Sequence, residues 1–563
     1  MSSTHVDITR IPFSRYGAFL SVTREDDGAQ ELIIHTARRR FKESAVLSLS
    51  FGGDFTCAAQ PEALYITTSK GHARIYIRDD ETLVIESFGP DIFLRQFARG
   101  YGTETGERTF RMYHDTFSLI STVAVPCGKA LLDGPVIGRN RRTDLSVACE
   151  EGHLLMALNL CHAEPRNIPL PIAPEADIAA IRTEWEDFLA LLPNAPASDE
   201  GTEDFVRLTW YNLWSCFVRA GGCYPADTML MSKKYMTSTW SWDHCFNALA
   251  MAHLADRELA KKYALSQFSA PFHLQGELGV LPDMWNPDLE TRWGTTKPPI
   301  HGWCFGKLMD VFDFTREELQ RVYSWLSRWT LWWTEHSDTD NDGIPDYPQG
   351  CDSGWDNCSL FDNGYFMESP DLPALLILQM RTLARIAEDL GDESSAAHWR
   401  SEAKLMGERL FAHSFDGERF LAKQSRTHLY DANPTSLLSL IPLVLGELLP
   451  VDVLQSLAES LQRDFLTEHG LATEMPDGGK YESDGYWRGP IWAPTTYLLV
   501  DGLRRGGQDA LARTVAERYC RMSARIARGN FENFDALTGL GRRAPGYTWA
   551  ASVYMLLHFE YGC

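Results

Sequence analysis

The feature that most constrains the fold is a change in the spacing of apolar residues near position 200. After that point apolar side chains recur at steps of three and four, as at Val206, Trp210, Leu213 and Phe217, which is the period of an amphipathic helix. The segments with this period are 203–221, 243–255, 257–270, 299–313, 316–335, 371–391, 395–413, 434–447, 451–464, 488–506, 508–527 and 547–559. These twelve predicted helices, with no strong strands between them, favour an (α/α)6 barrel over residues 200–563, with a funnel at one end.

Residues 1–163 carry a different pattern, made of short runs of β-forming residues. The runs 74–78 and 82–86 flank Asp79-Asp80-Glu81, which predicts a hairpin. Further runs lie at 32–34, 46–49, 63–66, 117–125 and 154–161. Many strands at short spacing are typical of antiparallel packing, so we predict an N-terminal antiparallel β-sandwich domain.

Residues 164–199 separate these two regions. Pro165, Pro169, Pro171 and Pro174 stiffen this stretch and stop both helix and sheet. We predict a proline-rich linker here, followed by a bridging helix near 175–191.

Charge and cysteine usage narrow the range of partners and compartments. The formal net charge is −23 at pH 7, and nucleic acids and anionic membranes select positive surfaces, so we predict neither as a partner. A neutral small saccharide is not excluded. The N-terminus lacks the apolar core of a signal peptide, and no apolar run is long enough to span a membrane. The 12 cysteines are scattered without a Cys-x-x-Cys pair, which predicts a reduced, cytoplasmic location.

The loops between the predicted helices are rich in Trp, Gly, Asp and Pro. They are 239–244, 279–303, 350–357 and 486–492, with Phe531-Glu532-Asn533-Phe534 following one helix later. All 17 tryptophans lie at or after Trp185. Aromatic rings can stack on the apolar faces of sugars, so the loops predict a saccharide-binding cleft, although tryptophans also fill helical cores. The candidate binding residues are Trp242, Asp243, Trp285, His301, Trp303, Trp355, Tyr486, Trp487 and Arg488.

Hydrolysis of a glycosidic bond needs two carboxyl groups. One protonates the leaving oxygen, and the other activates water or attacks the anomeric carbon. In the run Ser353-Gly354-Trp355-Asp356-Asn357, Asp356 follows an aromatic ring. Burial against that ring would keep Asp356 protonated, as an acid catalyst requires. Capping of a turn by Asp356 is the equal alternative from the residues alone.

The same run resembles the acid-bearing motif of glycoside hydrolase family 63, whose relatives include trehalases and mannosyl- and glucosylglycerate hydrolases. The runs 486–492 and 531–539 are similar to later motifs of that family, and the resemblance covers roughly residues 230–560. It implies an (α/α)6 barrel behind a β-sandwich and an inverting mechanism on α-linked glucosides or related sugars. It also implies Asp356 as general acid and Glu532 as general base. Cys358 stands where the family usually has Ser, and the trehalase signatures are incomplete, which argues against trehalose.

The resemblance also suggests roles for other residues. Asp243 is similar to the carboxylate that holds hydroxyls of the terminal sugar, with helix capping as the alternative. Arg488 would bind hydroxyls or orient a carboxylate, with a structural salt bridge as the alternative. The rings of Trp303, Trp355 and Trp487 are candidate stacking walls, and His301 is a candidate hydroxyl donor, although a lone histidine is more often structural. As alternatives to Glu532, Glu482 and Asp484 remain open as the base.

Asp338-Thr339-Asp340-Asn341-Asp342-Gly343 matches the first half of an EF-hand-type loop. Asp338, Asp340 and Asp342 are therefore candidate Ca²⁺ ligands, and the alternative is a turn without metal. The twelfth loop position is Gln349, so a bidentate carboxylate would have to come from elsewhere. Such an ion would be structural, and we predict no cofactor for the chemistry itself.

Three functions are consistent with these features. The preferred hypothesis is an exo-acting, inverting α-glycoside hydrolase, an α-glucosidase acting on small α-linked saccharides or glucosides. A sugar isomerase or epimerase also uses an (α/α)6 barrel, but that chemistry normally needs a histidine pair, which His244 and His301 do not form in the sequence pattern. A non-catalytic carbohydrate-binding protein would keep the tryptophans but need not keep both carboxylates. The sequence does not define the sugar, the linkage or the oligomeric state.

Overall fold

The computed structural model describes residues 4–39, 41–114, 119–133, 142–162, 164–193, 199–288 and 291–563. The chain divides into two compact units that are discontinuous in sequence. The first comprises Met1–Leu192, Val206–Ser238 and Asn286–Leu289, and the second Pro193–Phe205, Thr239–Trp285 and Glu290–Cys563. Residues 206–238 therefore cluster with the first unit, whereas the sequence analysis assigned them to the helical region.

The first unit contains two antiparallel sheets. Their strands are β1 (Leu20–Thr23), β2 (Leu32–Thr36), β3 (Ala45–Ser50), β4 (Phe55–Gln60), β5 (Ala63–Thr68), β6 (Gly71–Ile77), β7 (Thr82–Phe88), β8 (Ile92–Gln96), β9 (Gly100–Gly106), β10 (Thr109–His114), β11 (Leu119–Cys127), β12 (Lys129–Asp133), β13 (Asp144–Ala148) and β14 (His153–His162). One sheet has the order β1-β2-β3-β8-β13-β12, and the other has the order β4-β5-β6-β7-β14-β11-β10-β9. The predicted hairpin is confirmed, since β6 and β7 pair antiparallel around residues 78–81. Residues 117 and 118 of the predicted strand 117–125 lie outside the described residues.

The larger sheet is covered on one side by helix α1 (Pro174–Ala190), which carries Pro174 in its first turn. Ile178 and Ile181 of α1 pack with Tyr76, Val84 and Ala157 from three strands of that sheet. The two sheets also touch each other, since the side-chain amide of Gln96 on β8 donates to a carbonyl oxygen on β10 at 3.3 Å.

Helices make up most of the second unit. The helices that follow α1 along the chain are α2 (Glu200–Cys216), α3 (Asp243–Met251), α4 (Arg257–Ser269), α5 (His301–Val311), α6 (Arg316–His336), α7 (Asp371–Asp389), α8 (Glu393–Ser414), α9 (Val451–Ser460), α10 (Ala493–Arg505), α11 (Asp509–Arg521) and α12 (Thr548–Tyr561). The predicted helix 434–447 is instead the irregular 3₁₀ segment Leu437–Leu448. Pro442 lies inside that segment and Gly446 has φ 57°, and both features interrupt a regular α-helix.

Six of these elements contact one another in succession. α3 contacts α5, α5 contacts α7, α7 contacts the segment Leu437–Leu448, that segment contacts α10, α10 contacts α12, and α12 returns to α3. Five further helices of the second unit pack on this series: α4 on α3, α6 and α8 on α7, α9 on the 3₁₀ segment, and α11 on both α10 and α12. Among the described helices, none combines the length and apolarity that crossing a bilayer requires.

Candidate active site

The loop that carries Asp356 is held in a tight turn. It begins with the 3₁₀ turn Gly350–Ser353 and continues through Gly354, whose φ of 76° lies in the left-handed region. A Cβ atom at Gly354 would lie 2.8 Å from the ring of Trp242. Both the backbone conformation and the close approach therefore require glycine at this position.

Lys297 links Asp356 to a second acidic residue that the sequence analysis did not single out. The Lys297 ammonium lies 3.3 Å from a carboxylate oxygen of Asp356 and 3.3 Å from one of Asp283. It also donates to the carbonyl oxygen of Cys351 at 2.8 Å. Lys297 and Asp283 are almost completely buried, whereas the Asp356 side chain is 34% exposed. The expected burial of Asp356 against Trp355 is therefore wrong: the ring is buried, but the carboxylate faces solvent on one side.

Asp243 is the first residue of α3 and is 3% exposed. No side chain in the described part of the chain donates a hydrogen bond to either of its carboxylate oxygens. Burial raises the pKa of Asp243 well above its usual range, and the charges of Asp283 and Asp356 act in the same direction, while Lys297 opposes them. A buried carboxyl group that receives no hydrogen bond from a protein side chain can accept hydrogen bonds from the hydroxyl groups of a ligand.

Glu532 lies on the strand Phe531–Phe534, which places it in a pocket of tyrosines. The hydroxyls of Tyr486 and Tyr547 are hydrogen-bonded to its carboxylate, and the residue is 9% exposed. Burial raises the pKa of Glu532 to about 7, against the lowering effect of the two hydroxyls and of the Arg543 charge. The group can therefore exchange its proton near neutral pH, which suits acid–base catalysis.

Asp356 and Glu532 lie within electrostatic reach of each other. Burial is the main cause of the raised pKa of Tyr486, and the charges of Glu532 and Asp356 raise it further. The Asp356 charge also adds to the raised pKa of Glu532, which is likewise due mainly to burial. Two carboxylates that are 176 positions apart in the sequence therefore both act on the same tyrosine.

Asn357 joins the Asp356 loop to the loop that contains Tyr486. Its side chain donates to the Gly485 carbonyl oxygen and accepts from the Trp487 backbone N–H, both at 2.9 Å. The Arg488 side chain donates to the Asn357 carbonyl oxygen at 2.7 Å and forms an ion pair with Asp362. These contacts correspond to the structural alternative for Arg488, with the guanidinium fixing the loop beside Asp356.

Most of the predicted tryptophan walls form one aromatic cluster. The rings of Trp487 and Trp492 are stacked with their centroids 3.8 Å apart, and the centroid of the Trp355 ring lies 4.8 Å from that of Trp487. Trp242 contacts Trp487 at 6.3 Å and Trp549 at 5.8 Å. All five rings are largely buried, which corresponds to the packing alternative for these tryptophans.

Three other predicted binding residues are buried in different surroundings. The His301 ring lies 2.9 Å from the Ser241 carbonyl oxygen, and burial lowers the pKa of His301 to about 4. The Trp303 indole donates to Asp501 in the C-terminal half of α10 at 2.8 Å. Trp285 is completely buried on the short strand Met284–Trp285. These contacts are those of packing, the alternative that the sequence left open for His301 and for the tryptophans.

The two alternatives to Glu532 lie in a different setting. Glu482 and Asp484 are exposed, and Asp484 forms an ion pair with Arg543 at 3.2 Å. Sequence reasoning missed Lys297, Asp283 and Tyr547 as members of the site. Tyr547 directly precedes α12, as Trp242 precedes α3, and this shared position before a helix is the signal that would have identified it.

The acidic loop after α6 contains the predicted Ca²⁺ ligands. One oxygen from each of Asp338, Asp340 and Asp342 lies within 4.8 Å of the others. Asp338 already accepts the Gly343 N–H at 2.9 Å, and Asp340 accepts the Arg426 N–H at 2.7 Å. The oxygen-rich donor set fits a hard cation. Backbone N–H groups already engage all three carboxylates, because Asp342 accepts the Ile344 N–H at 2.8 Å.

Comparison with known proteins relates this chain to glycoside hydrolases. Residues 236–550, more than half of the chain, match the family model described as mannosylglycerate hydrolase MGH1-like glycoside hydrolase domain. Over 411 residues the chain is 23% identical to the mannosylglycerate hydrolase of Rubrobacter radiotolerans, covering 56% of this chain and 89% of that protein. Over 235 residues it is 30% identical to a periplasmic trehalase of Xanthomonas axonopodis pv. citri, covering 38% of this chain and 40% of the trehalase.

A solved structure is similar along the whole chain. The crystal structure of a bacterial glucoamylase complexed with acarbose superposes with a TM-score of 0.60 at 10% sequence identity, covering 100% of this chain and 95% of that one. At this identity the likeness concerns the fold alone.

Proposed function

This chain belongs to the mannosylglycerate hydrolase MGH1-like glycoside hydrolase family, and from that premise we propose that it removes α-linked glucose from the non-reducing end of small saccharides or glucosides with inversion. The resemblance to glycoside hydrolase family 63 is confirmed, and the chain is a glycoside hydrolase. Family membership therefore favours hydrolysis over the isomerase and over the non-catalytic binding protein. The linkage, the sugar and the stereochemistry belong to the proposal.

An (α/α)6 barrel is the architecture that best accounts for the helical contacts. The six successive elements from α3 to α12 would form the inner layer, and α12 would close it on α3. Asp243, His301 and Asp371 are each the first residue of an inner helix, so in this architecture the inner N-termini would meet at one end. The glucoamylase likeness over the full chain supports the same architecture.

The observation that carries the proposal is that Asp356 and Glu532 both act on Tyr486, whose loop Asn357 ties to the Asp356 loop by two hydrogen bonds of 2.9 Å. In the proposed reaction Asp356 donates a proton to the glycosidic oxygen as the bond to the anomeric carbon breaks. Glu532 removes a proton from a water molecule, whose oxygen attacks the anomeric carbon from the opposite face. The water supplies one proton to Glu532 and a hydroxyl to the sugar, so the released sugar has the β configuration.

The environments of the two carboxyl groups are compatible with these roles. Tyr486 and Tyr547 hold the Glu532 carboxylate by hydrogen bonds, which fixes the direction in which it can accept a proton. Asp356 is open to solvent on one side, and a sugar bound over it would displace that water.

Asp243 is the residue that we assign to recognition of the terminal sugar. Its two carboxylate oxygens are buried without side-chain donors, and sugar hydroxyls are donors that would satisfy them. The positive charge of Lys297 balances the negative charges of Asp283 and Asp356, each of which lies 3.3 Å from its ammonium group. The proposed substrate is therefore a neutral small saccharide, and the cytoplasmic location stays a prediction.

The test uses proton NMR to follow the first product formed from a panel of α-linked substrates. The panel contains p-nitrophenyl α-glucoside, α-linked glucose disaccharides, trehalose and α-mannosylglycerate. First appearance of β-glucose from an α-glucoside supports the proposal. With p-nitrophenyl α-glucoside, whose leaving group is not a sugar, first appearance of α-glucose would refute inversion. Turnover of α-mannosylglycerate alone would refute the assignment as a glucosidase.

Two variants make the test specific to the site. Glu532→Gln should abolish turnover, whereas Glu482→Gln changes an exposed carboxyl group on a neighbouring loop and should not. Loss of activity in Glu482→Gln with normal activity in Glu532→Gln would move the base to the alternative residue.

A further inference from the structure

A second group of titratable side chains lies away from Asp356 and Glu532. One ligand-capable atom from each of Asp342, Glu368, His413 and His428 lies within 4.8 Å of the others. The His413 Nε2 atom is 2.7 Å from a Glu368 oxygen, and its Nδ1 atom is 3.4 Å from an Asp342 oxygen. His428 Nε2 lies 3.4 Å from an oxygen of Asp340, 3.6 Å from one of Asp342 and 4.0 Å from one of Glu368.

The fold brings these four residues together from separate segments. Glu368 lies on the short strand Met367–Glu368, which pairs with Lys423–Gln424, and His428 follows that second strand. Met367 also pairs with Tyr347, which brings the Asp342 loop alongside. His413 is in the last turn of α8.

Glu368 is the residue that points to a missing ligand. It is 0% exposed, and among the described residues no donor meets hydrogen-bond geometry at either of its oxygens. His413 Nε2 approaches to 2.7 Å, yet that nitrogen too has no hydrogen-bond partner in the described part of the chain. A buried carboxylate needs a compensating charge or donors. Two lone-pair donors that come close without forming a hydrogen bond are arranged like two ligands of one cation.

We propose that Asp342, Glu368, His413 and His428 bind a divalent transition-metal ion of the Zn²⁺ type. Two imidazole nitrogens and two carboxylates form a mixed N/O donor set, which suits Zn²⁺ and its neighbours, whereas Ca²⁺ prefers an all-oxygen set. This site differs from the predicted Ca²⁺ loop, which would use Asp338 and Asp340 and neither histidine. The two sites share Asp342, so one ion would exclude the other.

The ion would have a structural role. It would fasten the loop after α6 and the last turn of α8 to the strand that precedes α7. Tyr347 connects this region to α7, because its hydroxyl donates to Asp371, the first residue of that helix, at 2.8 Å. The site would therefore stabilise the segment that leads from Asp342 to the Asp356 loop, without taking part in hydrolysis.

The experiment measures metal binding to the purified full chain after treatment with a chelator. ZnCl₂ and CaCl₂ are titrated separately by calorimetry, and Co²⁺ is added as a spectroscopic probe of nitrogen ligation. His428→Gln is the main variant, because His428 is 46% exposed and its replacement is compatible with folding. His398→Gln, an exposed histidine on α8, is the matched control, and Asp338→Asn tests the Ca²⁺ loop.

We expect one Zn²⁺ per chain and a change in the visible Co²⁺ spectrum. His428→Gln should weaken Zn²⁺ binding by more than the roughly 10–100-fold typical of residues that only support a ligand, while His398→Gln and Asp338→Asn should leave it unchanged. Zn²⁺ binding that is unaffected by His428→Gln would overturn the proposal. Binding of Ca²⁺ alone, lost in Asp338→Asn, would also overturn it, as would no binding of either ion. None of these readouts depends on the substrate or on hydrolysis.

Discussion

Replacement of Glu532 with glutamine should remove activity and at the same time stabilise the protein above neutral pH. Burial raises the pKa of Glu532 from the usual 4.5 to about 7, so the folded protein resists ionisation of this group. Glutamine keeps the shape of the neutral acid and can still accept from the tyrosine hydroxyls. It cannot become charged.

The size and sign of the effect follow from the two pKa values. One pKa unit corresponds to about 1.4 kcal/mol, so a rise from 4.5 to about 7 corresponds to about 3 kcal/mol. Below pH 4.5 the carboxyl group is neutral in the folded and unfolded protein, and its contribution to stability is fully present. As the pH rises through about 7 the contribution is lost in the wild type but not in Glu532→Gln.

Calorimetric melting of wild type, Glu532→Gln and Glu482→Gln between about pH 5 and about pH 8.5 measures this difference. Relative to wild type, the Tm of Glu532→Gln should rise by roughly 3 °C more at the alkaline end than at the acidic end. The exposed control should show no such trend. A pH-independent difference between Glu532→Gln and wild type would refute the reasoning.

Three further substitutions test how the site is held together. Lys297→Met should lower the free energy of unfolding, measured in urea, by about 3 kcal/mol. This is the low end for breaking a buried ion pair, because Arg292 remains 3.4 Å from Asp283. An unchanged urea midpoint would contradict the charge balance around Lys297. Gly354→Ala should lower the free energy of unfolding by at least about 2 kcal/mol more than Gly391→Ala does. Both glycines have φ near 75°, but an added Cβ would meet a neighbouring atom only at Gly354. Equal losses of stability would exclude the Trp242 contact. Asn357→Ala should lower kcat about tenfold or more by releasing the Asp356 loop, and an unchanged kcat with an altered KM would contradict that role.

The sequence predicted the element types well because their periods are strong. The runs 74–78 and 82–86 are rich in β-forming residues, and the steps of three and four after Val206 are those of a helix, so the chain alone indicates both types of element. The segment 434–447 was predicted as a regular helix from its apolar residues, but Pro442 and Gly446 interrupt the helix, and residues 437–448 form an irregular 3₁₀ segment. Here local backbone restrictions outweigh the apolar pattern.

The site was predictable only in part. The residues around Asp356 and Glu532 stand in runs that resemble family motifs, so the pair could be proposed from the sequence. Lys297 and Asp283 were missed because their relation depends on contacts between distant loops, which no local pattern reports. His301 and Trp303 were assigned to the cleft because they lie in an unusual loop, yet their side chains face Ser241 and Asp501.

The proposed metal site could also be predicted only in part from the sequence. The Asp338–Asp342 loop has a local signature, and the sequence therefore predicted a metal there. Glu368, His413 and His428 come from three other segments and have no common motif. Their convergence near Asp342 depends on the pairing of two short strands.

The roles of Asp356 as general acid and Glu532 as general base are tested most directly by comparing substrates with different leaving groups. Rates for Asp356→Asn and Glu532→Gln are measured with an unactivated α-glycoside of the released sugar and with the corresponding α-glycosyl fluoride, whose departure needs no proton. Asp356→Asn should lose about 10²–10⁴-fold on the glycoside but much less on the fluoride, whereas Glu532→Gln should lose activity on both because water is no longer activated. Equal losses of Asp356→Asn on both substrates, or recovery of Glu532→Gln on the fluoride, would contradict the assignment of acid and base.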